Sequence, residues 1–431
     1  MGISAVCAGL RRSDPQGEPL PGAVGAPHPM VTHPVYTATS AAGPAPSVRR
    51  AGNATRSRSP LRVVVAGGGV AAGELALALR TLAEERVEVE IVSPTSTVPY
   101  RPAATASPFQ PAPIQTFDLD ELAADAGASL RLDSVEAVAS RAKRLRLASG
   151  AHVTYDALVV AVGARARAAV PGAITFRDQR DAHLVTGLLR RLPAGGRVVL
   201  AAPAGVSWTL PLYELALLMS GELERRALHA EVAVVSHERR PLEVFGADVS
   251  EYVASLLTDR GVRLLRGAAR SAGRNRVTLT TGEQLDANGV IAVPRLTGRS
   301  VAGVPSDWNG FVPTDAEGRV DGLVDVYAAG DVTQFPIKQG GLATQQADVI
   351  AAVLAAQAGA DVEPPSGRLV LRARLLGASA PCYLRAELDG EGRPLPPGDA
   401  PAISDEADWW PATKLFGRHL SPWMAARAVT P

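Results

Sequence analysis

Two cysteines, Cys7 and Cys382, are all that the 431 residues contain. One pair cannot staple a chain of this length, and no CxxC pattern supplies a dithiol or a zinc site. The 7 histidines are thinly spread with no HExxH among them, so no metal centre is expected. Aromatic residues make up only 4% of the chain. An excess of charge of one sign is also missing. The 44 Lys and Arg are matched by 43 Asp and Glu, which argues against wholesale electrostatic binding of nucleic acid. No apolar run reaches the length of a membrane span, and the apolar stretch at residues 3–10 has no positive charge before it, as a secretory signal would. With 46% apolar and 20% charged residues, the chain fits a folded protein of a reducing compartment. The expected location is cytoplasmic, with peripheral contact at the inner face of the membrane left open.

Glycine (41) and proline (34) are abundant, but part of the proline is local. Residues 1–60 hold nine prolines and only two acids, Asp14 and Glu18. That composition buries too little apolar surface to offset ordering, so a disordered leader is expected, with a linker or an upstream start as alternatives.

Beyond it the pattern changes. Arg62 to Ala66 (RVVVA) reads as a buried strand, followed at once by glycines, a helix through Leu75 to Leu82, and a second strand from Val87 to Val92. This is the spacing of a parallel, doubly wound sheet. Another short strand, ALVVA, ends near Gly163. A second strand–helix–strand unit begins at Arg197 (RVVLA), with a helix from about Leu210 to Leu228 and a strand to Val235. Leu285 to Val293 reads as a return strand, Val324 to Ala329 as one more, and about Gly341 to Ala358 as a long helix.

The first turn is Gly67-Gly68-Gly69-Val70-Ala71-Ala72 and satisfies G-x-G-x-x-A. Gly67 allows the tight turn, Gly69 lets backbone approach a pyrophosphate, and Ala72 permits close helix–strand packing. The N–H groups at Val70 and Ala71 would face phosphate oxygens; the alternative is a purely structural turn. The second strand ends in Ser93 rather than Asp or Glu, which leaves a hydroxyl without charge for a ribose. Far downstream, Val326 to Asp331 ends a strand in Gly330-Asp331, either a hydroxyl-binding carboxylate or a simple helix cap.

The glycine turn and the Gly330-Asp331 end, with Ala161-Val162-Gly163-Ala164 between them, resemble the two-dinucleotide-domain flavoproteins of the pyridine-nucleotide-disulfide oxidoreductase-like superfamily. The likeness runs from about Leu61 to Ala358. It is strongest to the branch of sulfide:quinone oxidoreductases, flavocytochrome c sulfide dehydrogenases and type II NADH dehydrogenases. The resemblance implies an α/β fold with two Rossmann-like dinucleotide-binding domains and a small C-terminal extension. The implied boundaries are 61–170 with 285–365 for the FAD domain, 171–284 for an inserted NAD(P)-binding-like domain, and 366–431 for the extension. It implies bound FAD, held by Gly67, Gly69, Val70, Ala71, Ala72, Ser93, Arg101, Gly163, Gly330, Asp331 and Lys338. Tyr100, Arg101 and Lys338 would stand beside the flavin. For Arg101 an interdomain ion pair is the alternative, and for Lys338 a solvated helix-start lysine.

Three departures narrow the function. No cysteine lies between Cys7 and Cys382, so exchange through an enzyme dithiol is excluded and sulfide oxidation of the usual kind is in doubt. The second turn, Ala202-Pro203-Ala204-Gly205-Val206, lacks G-x-G-x-x-G, so NAD(P)H binding there is open; Glu238 could hold a ribose or pair with a neighbouring arginine. The tail carries Trp409, Trp410, Lys414, Phe416, Arg418 and Trp423, which suit an interfacial anchor or, alternatively, a packed cap or dimer contact. The expected function is transfer of electrons from a small donor through FAD to a quinone or small electron carrier. The alternatives are an NAD(P)H-dependent ferredoxin or quinone reductase, and a non-catalytic flavin-binding or assembly protein.

Overall fold

The computed structural model describes residues 59–110, 113, 115–365 and 368–427. The leader expected over residues 1–60, Cys7 included, falls outside these residues apart from its last two. The compact unit with the two sheets begins at Ser59.

Its principal strands are β1 (Leu61–Ala66), β2 (Val87–Ser93), β3 (Ser129–Leu132), β4 (Ala157–Val160), β5 (Ala164–Arg167), β6 (Ile174–Thr175), β7 (Gly196–Ala201), β8 (Ala230–Ser236), β9 (Arg263–Arg266), β10 (Gly289–Ala292), β11 (Arg295–Gly298), β12 (Val326–Ala328), β13 (Leu369–Arg374), β14 (Tyr383–Leu388) and β15 (Ile403–Ser404). The helices are α1 (Val70–Ala83), α2 (Leu119–Ala126), α3 (Ala182–Arg191), α4 (Leu210–Arg225), α5 (Ala247–Asp259), α6 (Gly340–Gln357) and α7 (Leu420–Arg427).

Two five-stranded sheets result. The first runs β3-β2-β1-β4-β12 and the second β9-β8-β7-β10-β6, with every neighbouring pair parallel. In each, a strand–turn–helix crossover starts from the central strand, the order of a doubly wound sheet. The central strands are buried on both faces, as parallel sheets covered by helices require: Val63, Val64 and Val65 in one, Val198, Val199 and Leu200 in the other. Each such side chain contributes roughly 1.5–3 kcal/mol of burial.

The return strand read from Leu285 to Val293 divides in the structure. Residues 284–286 edge a small antiparallel meander, and β10 pairs with β6 and β7 in the second sheet. The second sheet therefore extends to Ala292, and the chain comes back only through the antiparallel ribbon of β5 and β11. The apolar run hid this break because Ala287 is buried as deeply as the strand itself.

Helices α1 and α6 pack closely across the first sheet through small residues: Ala71, Ala78, Ala343, Ala347 and Ala351 are all buried. Strands β13 to β15 form an antiparallel sheet whose Leu371, Ala373 and Leu384 share a core with Leu212 and Leu215 of α4. The chain then reaches back to α1, where Leu420 of α7 packs beside Gly73.

Candidate functional site

The first crossover turn is three residues long, from Gly67 to Gly69. Gly67 sits at φ +122°, and a Cβ there would lie 2.3 Å from the Ala161 carbonyl oxygen, so no side chain is tolerated. Gly69 is the N-cap of α1 and offers its helix no side-chain cap; its Cβ position has nothing within 4 Å. The first turn of α1 has no acidic residue. The unsatisfied N–H groups of a 14-residue helix therefore open onto empty space, with the partial positive charge of the helix dipole behind them.

Across from this turn, Gly330 at φ +81° lets β12 end at the α1–α6 crossing, where its Cβ would be 3.2 Å from that of Ala343 and 3.4 Å from that of Ala71. The next residue, Asp331, retains partial solvent access, yet burial pushes its carboxyl upward in pKa against the lowering charges of Lys338 and Arg101. Among the described residues no donor is bonded to it. A carboxylate that is desolvated, still partly reachable and without a bonded donor suits a hydroxyl-bearing ligand. Gly163, at φ +69°, also has open space where a side chain would be. Together with the α1 terminus, the set fits a phosphate-and-sugar ligand such as a dinucleotide.

Lys338 is not solvated. Its ammonium donates to the carbonyls of Thr333 and of Phe335 (2.7 Å), and lies 3.9 Å from the Phe311 ring centroid. Burial lowers its pKa to about 8, partly offset by Asp331 and Asp307. Arg101 makes a long ion pair, 3.9 Å, with Asp178, whose carboxylate is already held by two bonds from Arg180. The ion-pair alternative for Arg101 is thus present, alongside its influence on Asp331. Tyr100 turns toward the C-terminal extension. Burial pushes its phenol up to about 12, opposed by Thr413 and the backbone of Leu415. The Ser93 hydroxyl donates to the Thr95 carbonyl (2.8 Å) and accepts from the Thr95 N–H, so its donor is spent inside the turn.

The second crossover turn is longer, residues 202–209, and is tied to the protein at its two ends while Ala204 and Gly205 stay exposed. Ala202 is fully buried, Trp208 leans on Phe245 with ring centroids 6.1 Å apart, and Ser207 donates to the Pro336 carbonyl. Glu238 does not pair with an arginine. It accepts from Tyr213 (2.6 Å) and Ser236 (3.1 Å), and burial raises its pKa.

Two buried carboxylates carry no local signal in the sequence. Glu214 of α4 accepts from Thr105 (2.8 Å), from the Leu376 N–H (3.0 Å) and from Lys414, whose side chain is 8% exposed. Glu74 of α1 accepts from the backbone N–H groups of His419 (2.8 Å) and Leu420 (2.7 Å), with Asp348 of α6 beside it. Burial and the Glu74 charge push Asp348 up to about 8. The tail residues are mostly consumed by packing. Trp409 is T-shaped against Tyr383, Trp423 against Phe117, and Lys414 is buried; Trp410 and Arg418 remain exposed. No helix among the described residues is long and apolar enough to cross a membrane.

Comparison with known proteins places this geometry. The family described as pyridine nucleotide-disulphide oxidoreductase matches residues 61–357. Among curated proteins, a probable ferredoxin reductase, CtmF, of Castellaniella defragrans is 30% identical over 300 residues, 64% of this chain and 68% of that one. The monodehydroascorbate reductase of Pisum sativum is 25% identical over 313 residues, 64% of this chain and 69% of that one. Among solved structures, the sulfide:quinone oxidoreductase of Aquifex aeolicus superposes with a TM-score of 0.67 at 20% identity, covering 76% of this chain and 83% of that one.

Proposed function

We propose a function from one premise: the chain belongs to the pyridine nucleotide-disulphide oxidoreductase family, and so to the FAD-dependent oxidoreductases. In this reading it passes electrons from a small donor through FAD to a quinone or a small electron carrier. The carrying observation is the three-residue glycine turn, with Gly67 at positive φ packed on the Ala161 carbonyl, that leads straight into the uncapped N-terminus of α1.

When bound, FAD supplies the redox chemistry. The chain supplies the holding groups. Gly67 and Gly69 clear the approach, and the N–H groups at Val70 and Ala71 donate to the pyrophosphate, with Ala72 packed beneath. Asp331 accepts from ribitol-like hydroxyls, while Gly163 and Gly330 leave room for the chain crossing. Lys338 brings a cation whose desolvation strengthens its interaction with negative charge developing nearby. Arg101 adds a second cation at the mouth. Tyr100 fastens the loop before it to the extension rather than entering the chemistry, and Ser93 shapes the turn below the ligand. Cys382 is buried, 2% exposed, in the core shared by the second sheet and the extension, which supports a flavin route without a thiol partner.

NAD(P)H as the donor is the favoured choice within this reading. The second sheet is complete in strand order, and Glu238 stands just past the end of β8, where a ribose would lie. The names of the relatives, a monodehydroascorbate reductase and a probable ferredoxin reductase, support a small electron acceptor.

The test is anaerobic titration of purified protein, followed by absorbance. A yellow protein bleached stoichiometrically by NADH or NADPH supports the full reading. A yellow protein bleached only by another donor removes NAD(P)H. A colourless protein that takes up no FAD removes the reading altogether.

A further inference from the structure

The ribbon of β5 and β11 joins the two sheets and carries one kind of charge. Its register sets Arg165 opposite Thr297 and Arg167 opposite Arg295. Directly opposed residues of an antiparallel pair share a face, and alternate residues along each strand share it too. Arg165, Arg167, Arg295 and, by continuing the alternation, Arg299 therefore belong to one face, and all four are exposed. From Arg295 to Arg299 that row spans about 13 Å at the usual strand rise.

The row is not neutralised. Among the described residues no carboxylate is bonded to Arg165, Arg167 or Arg299, and Arg295 donates to a backbone carbonyl, that of Ala204 (2.9 Å). Burial, with the charges of Arg165 and Arg101 close by, holds the Arg299 guanidinium below its usual pKa. A fifth arginine thus joins the cluster from the loop after β2.

A large apolar side chain stands beside it. The Gly298 N–H donates to the Asn309 carbonyl (2.9 Å), which brings the turn 307–311 against the end of β11. Trp308, next to Asn309, is 92% exposed. Phe311, at the other end of this turn, carries the Lys338 ammonium on its ring. The turn thus touches the cation whose charge acts on Asp331.

We infer that this face, Arg165, Arg167 and Arg299 around Trp308, is a docking surface for an acidic protein electron carrier. The inference rests on the reading of a flavin-bound electron-transfer protein and names its acceptor class. Charge complementarity selects the partner: guanidinium forks with no internal acid match surface carboxylates, and Trp with Arg are the residues that dominate protein interfaces. A membrane is a poorer match. Only one large apolar side chain protrudes here, and a lone indole buries too little to anchor a protein. The turn's one acid, Asp307, faces inward and accepts from the N–H groups of Asn309 (2.8 Å) and Phe311 (2.9 Å).

The experiment measures binding of the purified full chain to an acidic [2Fe–2S] ferredoxin, and separately to phosphatidylglycerol vesicles. Flavin content and reduction of an artificial dye are followed on the same preparations. The expected result is ferredoxin binding that weakens at least about tenfold between about 0.05 M and about 0.3 M salt. Arg165→Glu with Arg299→Glu should weaken it about 100-fold and Trp308→Ala about tenfold, with flavin content and dye reduction unchanged. Flavin-loaded, dye-reducing protein that fails to bind ferredoxin overturns the docking inference alone. So does binding that the variants leave intact, or binding to vesicles in its place. Protein that binds ferredoxin through these residues but carries and takes up no flavin upholds the surface and removes the proposed function.

Discussion

The molecule contains the same crossover twice, and the two copies differ where ligands would touch them. The first turn is short and glycine-lined and leads straight into its helix; the second is long, with Ser207 bonded to the Pro336 carbonyl and Trp208 against Phe245, and its helix carries Pro211 in the first turn. Behind the turns the copies agree. Glu74 is the fifth residue of α1 and Glu214 the fifth of α4, both are buried to about 1% or less, and both are gripped by N–H groups of the C-terminal extension. The extension thus staples both helices at equivalent positions. The fold has been kept in duplicate while the short glycine-lined turn was kept in one copy, which separates what a Rossmann-like unit needs for stability from what it needs for the close backbone approach of a phosphate.

The comparison breaks most visibly at Gly69. Gly69→Asp places an anion where a pyrophosphate would lie, and should lower FAD affinity by at least about 100-fold. Its φ of −79° suits any residue, the site is open, and Asp is a good N-cap, so apoprotein stability should hold or rise by up to about 1 kcal/mol. Flavin retention and thermal melting of the apoprotein check both halves. The matching change in the second turn, Gly205→Asp, should leave flavin content intact.

A comparable effect is expected at the staple on the α4 side. Lys414→Met leaves the Glu214 carboxylate buried without its cation and should cost about 3–5 kcal/mol in denaturant unfolding. Adding Glu214→Gln should recover part of that loss, because the uncompensated charge is then gone. No recovery would mean that shape, not charge balance, sets the penalty.

The first turn was legible because its signals are local. Gly67 needs a positive φ and Gly69 a clear approach, and both requirements are written within the residues that meet them. The pairing of Lys414 with Glu214 was not, since the two lie 200 residues apart and nothing in either neighbourhood demands the other. Lys338 reads as an ordinary helix-start lysine until the turn bearing Phe311 is folded over it. The division of the Leu285–Val293 run is hidden for a different reason: one apolar run serves both a meander edge and a core strand, and periodicity cannot find the joint. The arginine row was present in the letters, but only the β5–β11 register turns scattered residues into one face.

The staple on the α1 side has no buried lysine like Lys414; Asp348 faces the Glu74 carboxylate, with the Arg418 charge and the His419 ring (4.0 Å) as its only cationic neighbours among the described residues, and this gives it a pH dependence. Asp348 sits near 8 in the folded protein against an ordinary value of 3.8, so the folded state binds more protons between those values. Its contribution to stability is therefore complete below about pH 4 and is lost as pH rises through about 8. Asp348→Asn should flatten the change of unfolding free energy between about pH 6 and about pH 9 by about 1–3 kcal/mol, seen in urea titrations at each pH. A wild-type curve that rises across that interval would show that the Glu74–Asp348 pair does not share a proton.

The smallest effect tests whether the cleft cation is electrostatic in purpose. Lys338 has its pKa lowered to about 8 from 10.5, so its charge is present below about pH 8 and falls away above it. In stability alone the sign is the reverse of the Asp348 case. Between about pH 8 and 10.5 the unfolded chain holds the extra proton, and the lysine's destabilising contribution fades as pH rises. For the redox step the charge favours the reduced, more negative ligand, so donor-driven reduction should slow above about pH 8. Lys338→Met should slow reduction about tenfold at about pH 7 and remove the break near pH 8. Stopped-flow reduction across that range reads both. A variant slowed equally at every pH, with the break retained, would make Lys338 a brace for the Thr333 and Phe335 carbonyls and for the Phe311 turn, and would leave the cleft's electrostatics to Arg101 and the α1 terminus.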